Sequence, residues 1–409
     1  MAKRKKKHHK PGFDKISKAQ HKNEFLYKLR HVMNLAGERD VFYLLPEREL
    51  DIIYMIRYQP MRAIAAPGSK IPPDTLKEIN TMISGILRSE KVKLTPGGAE
   101  IRMDEYLTVG QTLLGYLVTL KDDAYKGASE IKYNFSLFIN DMERDKKTAA
   151  YLKAMNSLLG PYFSRLDKQI LWGKFEVKFG FNGLFNIVNC FEISCHVPDK
   201  IELTLDGYTR PAFKVGWCFD GEKVEHIQIK YSDLNSQTSF TDMPVDIYIQ
   251  SHALVRLYER IDCIKHGVIM SSLLESLKNC KAVHDKNGHY LIEFRLSGIK
   301  VGYLPAIIFA GNIVIRTFLF LTFGSTPEGK KLMKLTGMNK TDQKYLALDT
   351  VSTYMTTDIG KDEEIKNIFN KSGCGGLLKL HDSLAVYSIP VHAKQTDKML
   401  ADYLGLRRI

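Results

Sequence analysis

The sequence predicts an α+β protein: an N-terminal α-helical domain, a β-rich middle region, and a C-terminal α+β module with a helical tail. Apolar residues recur at helical spacing up to about residue 165. They alternate with polar ones from 166, then return from 245 in the order strand, helix, helix and three strands. A chain of 409 residues with 44% hydrophobic content has enough apolar side chains for more than one core. The boundaries that follow are 1–22 for a basic arm, 23–165 helical, 166–244 β-rich, 245–325 α+β, and 326–409 mixed but mainly helical.

The arm is set apart by charge. Residues 1–30 carry eleven Lys or Arg against Asp14 and Glu24, which accounts for +9 of the formal +13. Its opening run includes Lys3, Arg4, Lys5, Lys6, Lys7 and Lys10 and has no apolar surface to bury. Arms of this kind contact polyanions, nucleic acid first among them, because each neutralised phosphate releases condensed counterion. An anionic membrane surface and simple solubilisation are the other readings. Charge runs on through Arg39 without an apolar leader segment, and a cytoplasmic location is expected. Six cysteines, Cys190, Cys195, Cys218, Cys263, Cys280 and Cys374, read as buried thiols in a reducing compartment.

In the helical domain, Phe25, Leu26, Leu29, Val32 and Met33 share one face and Gly37 supplies a stop. Pro46 opens a second helix, and Pro72-Pro73-Asp74 a third through Ile79, Ile83 and Leu87. Further helices are expected at 103–120 and 146–159, with no run of strands. Strand alternation follows at Phe175, Val177 and Phe179, at Ile201, Leu203 and Leu205, and at Ile227, Ile229 and Tyr231. The apolar stretch 303–323 contains Pro305, Gly311-Asn312 and Arg316, so it reads as two buried strands about a turn and no membrane span is expected. Helices at 342–355, 362–370 and 396–404 and a strand at 384–389 complete the tail.

Chemistry concentrates on the helix at 251–261. At about 100° per residue, His252, Arg256, Glu259 and Arg260 share one sector, opposite Leu254, Leu257, Tyr258 and Ile261. Guanidinium forks suit phosphate, and an imidazole moves a proton near neutral pH. The plainer reading is a solvated face carrying an Arg256–Glu259 ion pair. Arg316, in an otherwise apolar strand, must either face a ligand or pair with Glu293 or Glu259. Arg295 offers a further cation from a neighbouring strand.

This order of motifs resembles the RelE/BrnT-like toxin superfamily of metal-independent ribonucleases, over residues 246–325. Ser251-His252-Ala253, Arg256 and Glu259-Arg260 match a Ser-His-Ala-x-x-Arg-x-x-x-Arg helix, and Lys265-His266-Gly267-Val268 is similar to the turn before the second helix. The resemblance implies attack of a ribose 2′-hydroxyl on the adjacent phosphate. His252 or Glu259 would serve as acid or base, Arg256 and Arg316 as clamps on the transition state, and Arg260 as a positioning group. It implies neither a metal nor another cofactor.

Other motifs carry less. Cys263-x2-His266 with Cys280-x3-His284 has zinc-like spacing but spans an ordinary helix pattern. Gly373-Cys374-Gly375-Gly376 lacks the Lys-Ser/Thr of a phosphate loop and reads as a helix end. The function expected is thus nucleic-acid binding, RNA before DNA, with metal-independent cleavage as the enzymatic form. The alternatives are a non-catalytic RNA, DNA or ribonucleoprotein scaffold, and an enzyme for a small anionic substrate.

Overall fold

The computed structural model describes residues 18–181, 185–205, 207–218, 223–234, 243–284, 289–390 and 396–403. The predicted basic-arm contacts Lys3, Arg4, Lys5, Lys6, Lys7 and Lys10 lie outside them. The described residues within Met1–Ala66, Ile71–Ala154 and Phe175–Glu192 form one unit, and those within Pro67–Lys70, Met155–Lys174 and Ile193–Ile409 form another. Both helices and strands are abundant, as an α+β chain requires. Among the described residues no helix is long and apolar enough to cross a membrane.

The first unit is mainly helical. Helix Lys18–Ala36 buries Leu29, Val32 and Met33 and ends before Gly37, where an added Cβ would meet the Asn134 amide at 2.3 Å. Helix Pro73–Ser89 starts with its proline in the first turn and buries Ile79, Ile83 and Leu87 at four-residue intervals. The helical run from Met103 to Thr119 is widened by a π turn at Tyr106–Gly110. Strands also occur here, contrary to the purely helical expectation. Tyr58–Ala65 is an edge of a three-stranded sheet, and Lys91–Lys93 pairs with Glu100–Arg102. Pro60 marks a helix end in a linear reading, yet an edge strand tolerates a residue without an N–H.

In the strand Ile170–Phe181 the expected alternation holds, but Phe175, Val177 and Phe179 lie on its exposed side. All six cysteines are free thiols, four of them buried.

The second unit is built on a mixed sheet. Its main strand order is Ala282–His284, Tyr290–Leu296, Ile299–Phe309, Asn312–Ile315, Val245–Gln250, Tyr208–Lys214 and Lys200–Leu205. Among the described residues of this sheet, only Val245–Gln250 and Asn312–Ile315 run parallel, with Ile249 opposite Ile315. Parallel neighbours need a crossover, and the helices Ser251–Arg260 and His266–Lys278 belong to it. Leu254, Leu257, Leu273 and Leu277 share a core with Ile247 and Ile249 on one face of the sheet. Each such side chain contributes about 1.5–3 kcal/mol of burial. Tyr248 and Val314 point the other way, into a smaller cluster with Leu203 and Ala212. The sheet therefore extends beyond residue 245 on its N-terminal side.

The expected strand 313–323 is interrupted. It pairs as Asn312–Ile315, leaves the ladder at Arg316-Thr317-Phe318, and returns only as Leu319–Phe320 beside Gly302. The parallel neighbour ends at Gln250 and turns into a helix, so the chain at Arg316 loses a strand to pair with on that side. Gly302 permits the return, since a Cβ there would stand 2.3 Å from the Leu319 carbonyl oxygen. The predicted strand 384–389 is instead a helical turn and a 3-10 turn, Leu380–Leu384 and Ala385–Tyr387, followed by one bridge at Ser388. Val386 and Tyr387 are both exposed, so no buried face rewards an extended chain there. The predicted helix 342–355 breaks into Lys340–Tyr345 and Val351–Thr356, with Ala347 left-handed between them.

Candidate functional site

At the carboxyl ends of the two parallel strands the sheet opens into a cavity of about 350 Å³. Open α/β sheets place ligands at such strand ends. Register explains which side chains meet there. Gln250 lies opposite Ala212, so Arg210, two residues before Ala212, shares its face of the sheet. Val314 lies beside Tyr248, and Arg316, two residues on, shares that face as well. The Arg316 amide donates to the Pro305 carbonyl at 2.9 Å, which fixes the backbone at this point. Leu291 opposite Pro305 and His289 two residues before it continue the row. His252, in the first turn of the helix Ser251–Arg260, closes the cavity from above the strand ends.

The lining thus contains Arg210, Arg316, His252 and His289 and, among the described residues, neither Asp nor Glu. Two permanent cations in such a lining attract an anion. The helix N-terminus adds to this, because Gln250 occupies the N-cap without a side-chain capping bond. Burial lowers the His252 pKa below its ordinary value of 6.5, and the charges of Arg256 and Arg210 lower it further against the opposing pull of Glu259. The imidazole is therefore neutral at pH 7 and able to accept a proton.

His252 and Arg316, both picked out in the sequence, are brought together here. Arg256, Glu259, Arg260 and Arg295 do not line the cavity. Arg256 donates to Glu259 at 2.7 Å on a half-exposed surface, one turn from His252, and acts on it through charge alone. Arg260 is tied to the nearly buried Asp349, which anchors the far end of the helix. Asp262 continues that anchor by accepting from the Ser352 amide at 2.9 Å. Arg295 forks around Glu293 and donates to the Gly298 carbonyl at 2.8 Å. Lys300 joins the same network, 3.1 Å from Glu293 and 2.7 Å from Glu328. Arg260, Arg295 and Lys300 are thus engaged in ties within the fold.

The Lys265-His266-Gly267-Val268 turn is likewise explained by packing. His266 donates from Nε2 to the Ser164 carbonyl at 2.7 Å, and a Cβ on Gly267 would press against Tyr162 Cα at 2.9 Å. Cys263 is wholly buried in the core and Cys280 is partly buried, with its thiol pKa pushed up to about 12 by burial. Gly373 ends the helix Glu363–Ser372 in the left-handed conformation, as its surroundings in the sequence suggest.

Sequence reasoning missed Arg210, His289 and Gln250. Arg210 and His289 acquire meaning only through strand register, which a linear reading lacks. Gln250 left one signal: the residue before an amphipathic helix is usually Ser, Thr, Asp or Asn. A larger cavity of about 630 Å³ lies in the first unit, but Glu90, Glu100 and Glu143 there offset Lys91, Lys93 and Lys147. It has no preference for an anion. No protein-family model, curated protein or solved structure matches the chain.

Proposed function

We propose that this protein binds nucleic acid, RNA in preference to DNA, and holds one phosphodiester in the cavity between Arg210 and Arg316. One observation carries the reading: two arginines, two histidines and an uncapped helix N-terminus line one cavity without a carboxylate among the described residues. The arm's charge supports a polyanionic partner. The likeness of Ser251-His252-Ala253 and the arginines after it to the RelE/BrnT-like helix supports RNA.

The enzymatic form of this function is metal-independent cleavage. Neutral His252 takes the proton of the 2′-hydroxyl as its oxygen attacks phosphorus. Arg316 and Arg210 stabilise the added negative charge. The 5′-oxygen leaves with a proton, for which His289 is the second imidazole in the cavity. One observation favours holding without cutting: Arg256 and Glu259, both in the set implied by the resemblance, pair with each other outside the cavity. Incubating end-labelled single-stranded RNA with the protein in EDTA separates the two. Cleavage abolished in both His252→Ala and Arg316→Ala establishes the enzyme. Intact RNA whose binding weakens in Arg316→Ala establishes the scaffold. RNA neither cut nor bound overturns the proposal.

A further inference from the structure

We infer that Gln250 reads the base of a single nucleotide seated in this cavity, an inference that rests on the phosphate-binding function proposed above. Gln250 is 4% exposed, yet among the described residues its carboxamide makes no hydrogen bond, and its polar atoms are not sealed from the cavity. A buried amide that neither caps its helix nor meets a neighbour has both donor and acceptor to offer a ligand. It stands on the strand between those leading to Arg210 and Arg316, and the apolar surface of Leu291, Pro305 and Ile307 continues the same face.

A nucleotide presents the matching parts. Its phosphate meets the arginines, the flat face of its base lies on the apolar floor, and the base edge pairs with the amide. A cavity of about 350 Å³ is at the small end of ligand pockets, which run to about 1,000 Å³. It takes one nucleotide and excludes a duplex. Inorganic phosphate or a sugar phosphate satisfies the arginines but leaves the amide unpaired, which a site of this kind disfavours.

The test is calorimetric titration of the full chain in EDTA with the four ribonucleoside 5′-monophosphates and with ribose 5-phosphate. At least one nucleotide is expected to bind about tenfold more tightly than ribose 5-phosphate, the scale of one bidentate base contact. Gln250→Met keeps the size and removes the polar edge. It should bring the four nucleotides within about threefold of one another, less than one such contact is worth, while the apolar floor still favours them over ribose 5-phosphate. Its Tm should hold or rise, since the amide makes no bond in the free protein. If Gln250→Met does not fold, Gln250→Glu, which replaces the donor by a second acceptor, must reorder the bases. Equal binding of nucleotides and ribose 5-phosphate by the unaltered protein overturns the inference and leaves the phosphate site standing. A preference unchanged in these variants also overturns it. No binding of any of the five ligands overturns both.

Discussion

His252 shows how one side chain reports on its surroundings. Burial and the nearby Arg256 and Arg210 charges favour the neutral ring. His226 and His266 have pKa values lowered first by burial as well. The unfolded chain therefore binds more protons than the native one as pH falls through 6.5, and stability must decline over that interval. Above it these groups contribute no pH dependence. Urea midpoints measured from pH 7.5 to pH 5 are expected to fall steadily, and His266→Gln should remove part of the slope. A midpoint that rises on acidification would contradict the assignment of these rings as neutral.

Elements rather than residues decide where the cavity sits. The hairpin from Ile299–Phe309 to Asn312–Ile315 turns through Ala310 and Gly311, both with positive φ, at 46° and 77°. This is the two-residue turn that suits twisted antiparallel strands. For alanine the left-handed conformation costs about 1 kcal/mol. Ala310→Gly should add at most roughly that amount to the unfolding free energy, less glycine's extra entropy when unfolded, read as a raised urea midpoint, and a lowered midpoint would show that the turn is held differently. Much of this unit was legible in the sequence: the site helix, its successor and the two apolar strands followed from period and turn residues alone. The break at Arg316 was not, because it arises where Gln250 ends the neighbouring strand, sixty-six positions earlier in the chain. For the same reason His252 and Arg316 were visible as candidates while Arg210 and His289 were not. Arg260 and Arg295 drew notice for their charge, but Asp349, which uses the first, is supplied by tertiary structure, while Glu293 and Gly298, which use the second, lie on the same strand and in the turn after it.

Over the whole molecule, the charge balance and the candidate cavity are separate facts. Most of the formal +13 belongs to the first thirty residues, so the remainder of the chain is close to balanced. Within that remainder the sheet gathers Arg210 and Arg316 at one opening and keeps the carboxylates Glu293, Glu328 and Asp349 in contacts elsewhere. Among the described residues the lining of that opening is basic, and a phosphodiester is the anion proposed for it. The most direct measurement is the salt dependence of affinity for a short single-stranded RNA in EDTA, comparing the unaltered chain with an Arg210→Ala/Arg316→Ala variant of matched Tm. Removing one phosphate interaction should make the plot of log affinity against log salt shallower by about 0.7, with weaker binding at every salt concentration. Superimposable lines for the two proteins would contradict the claim that this cavity holds a phosphate.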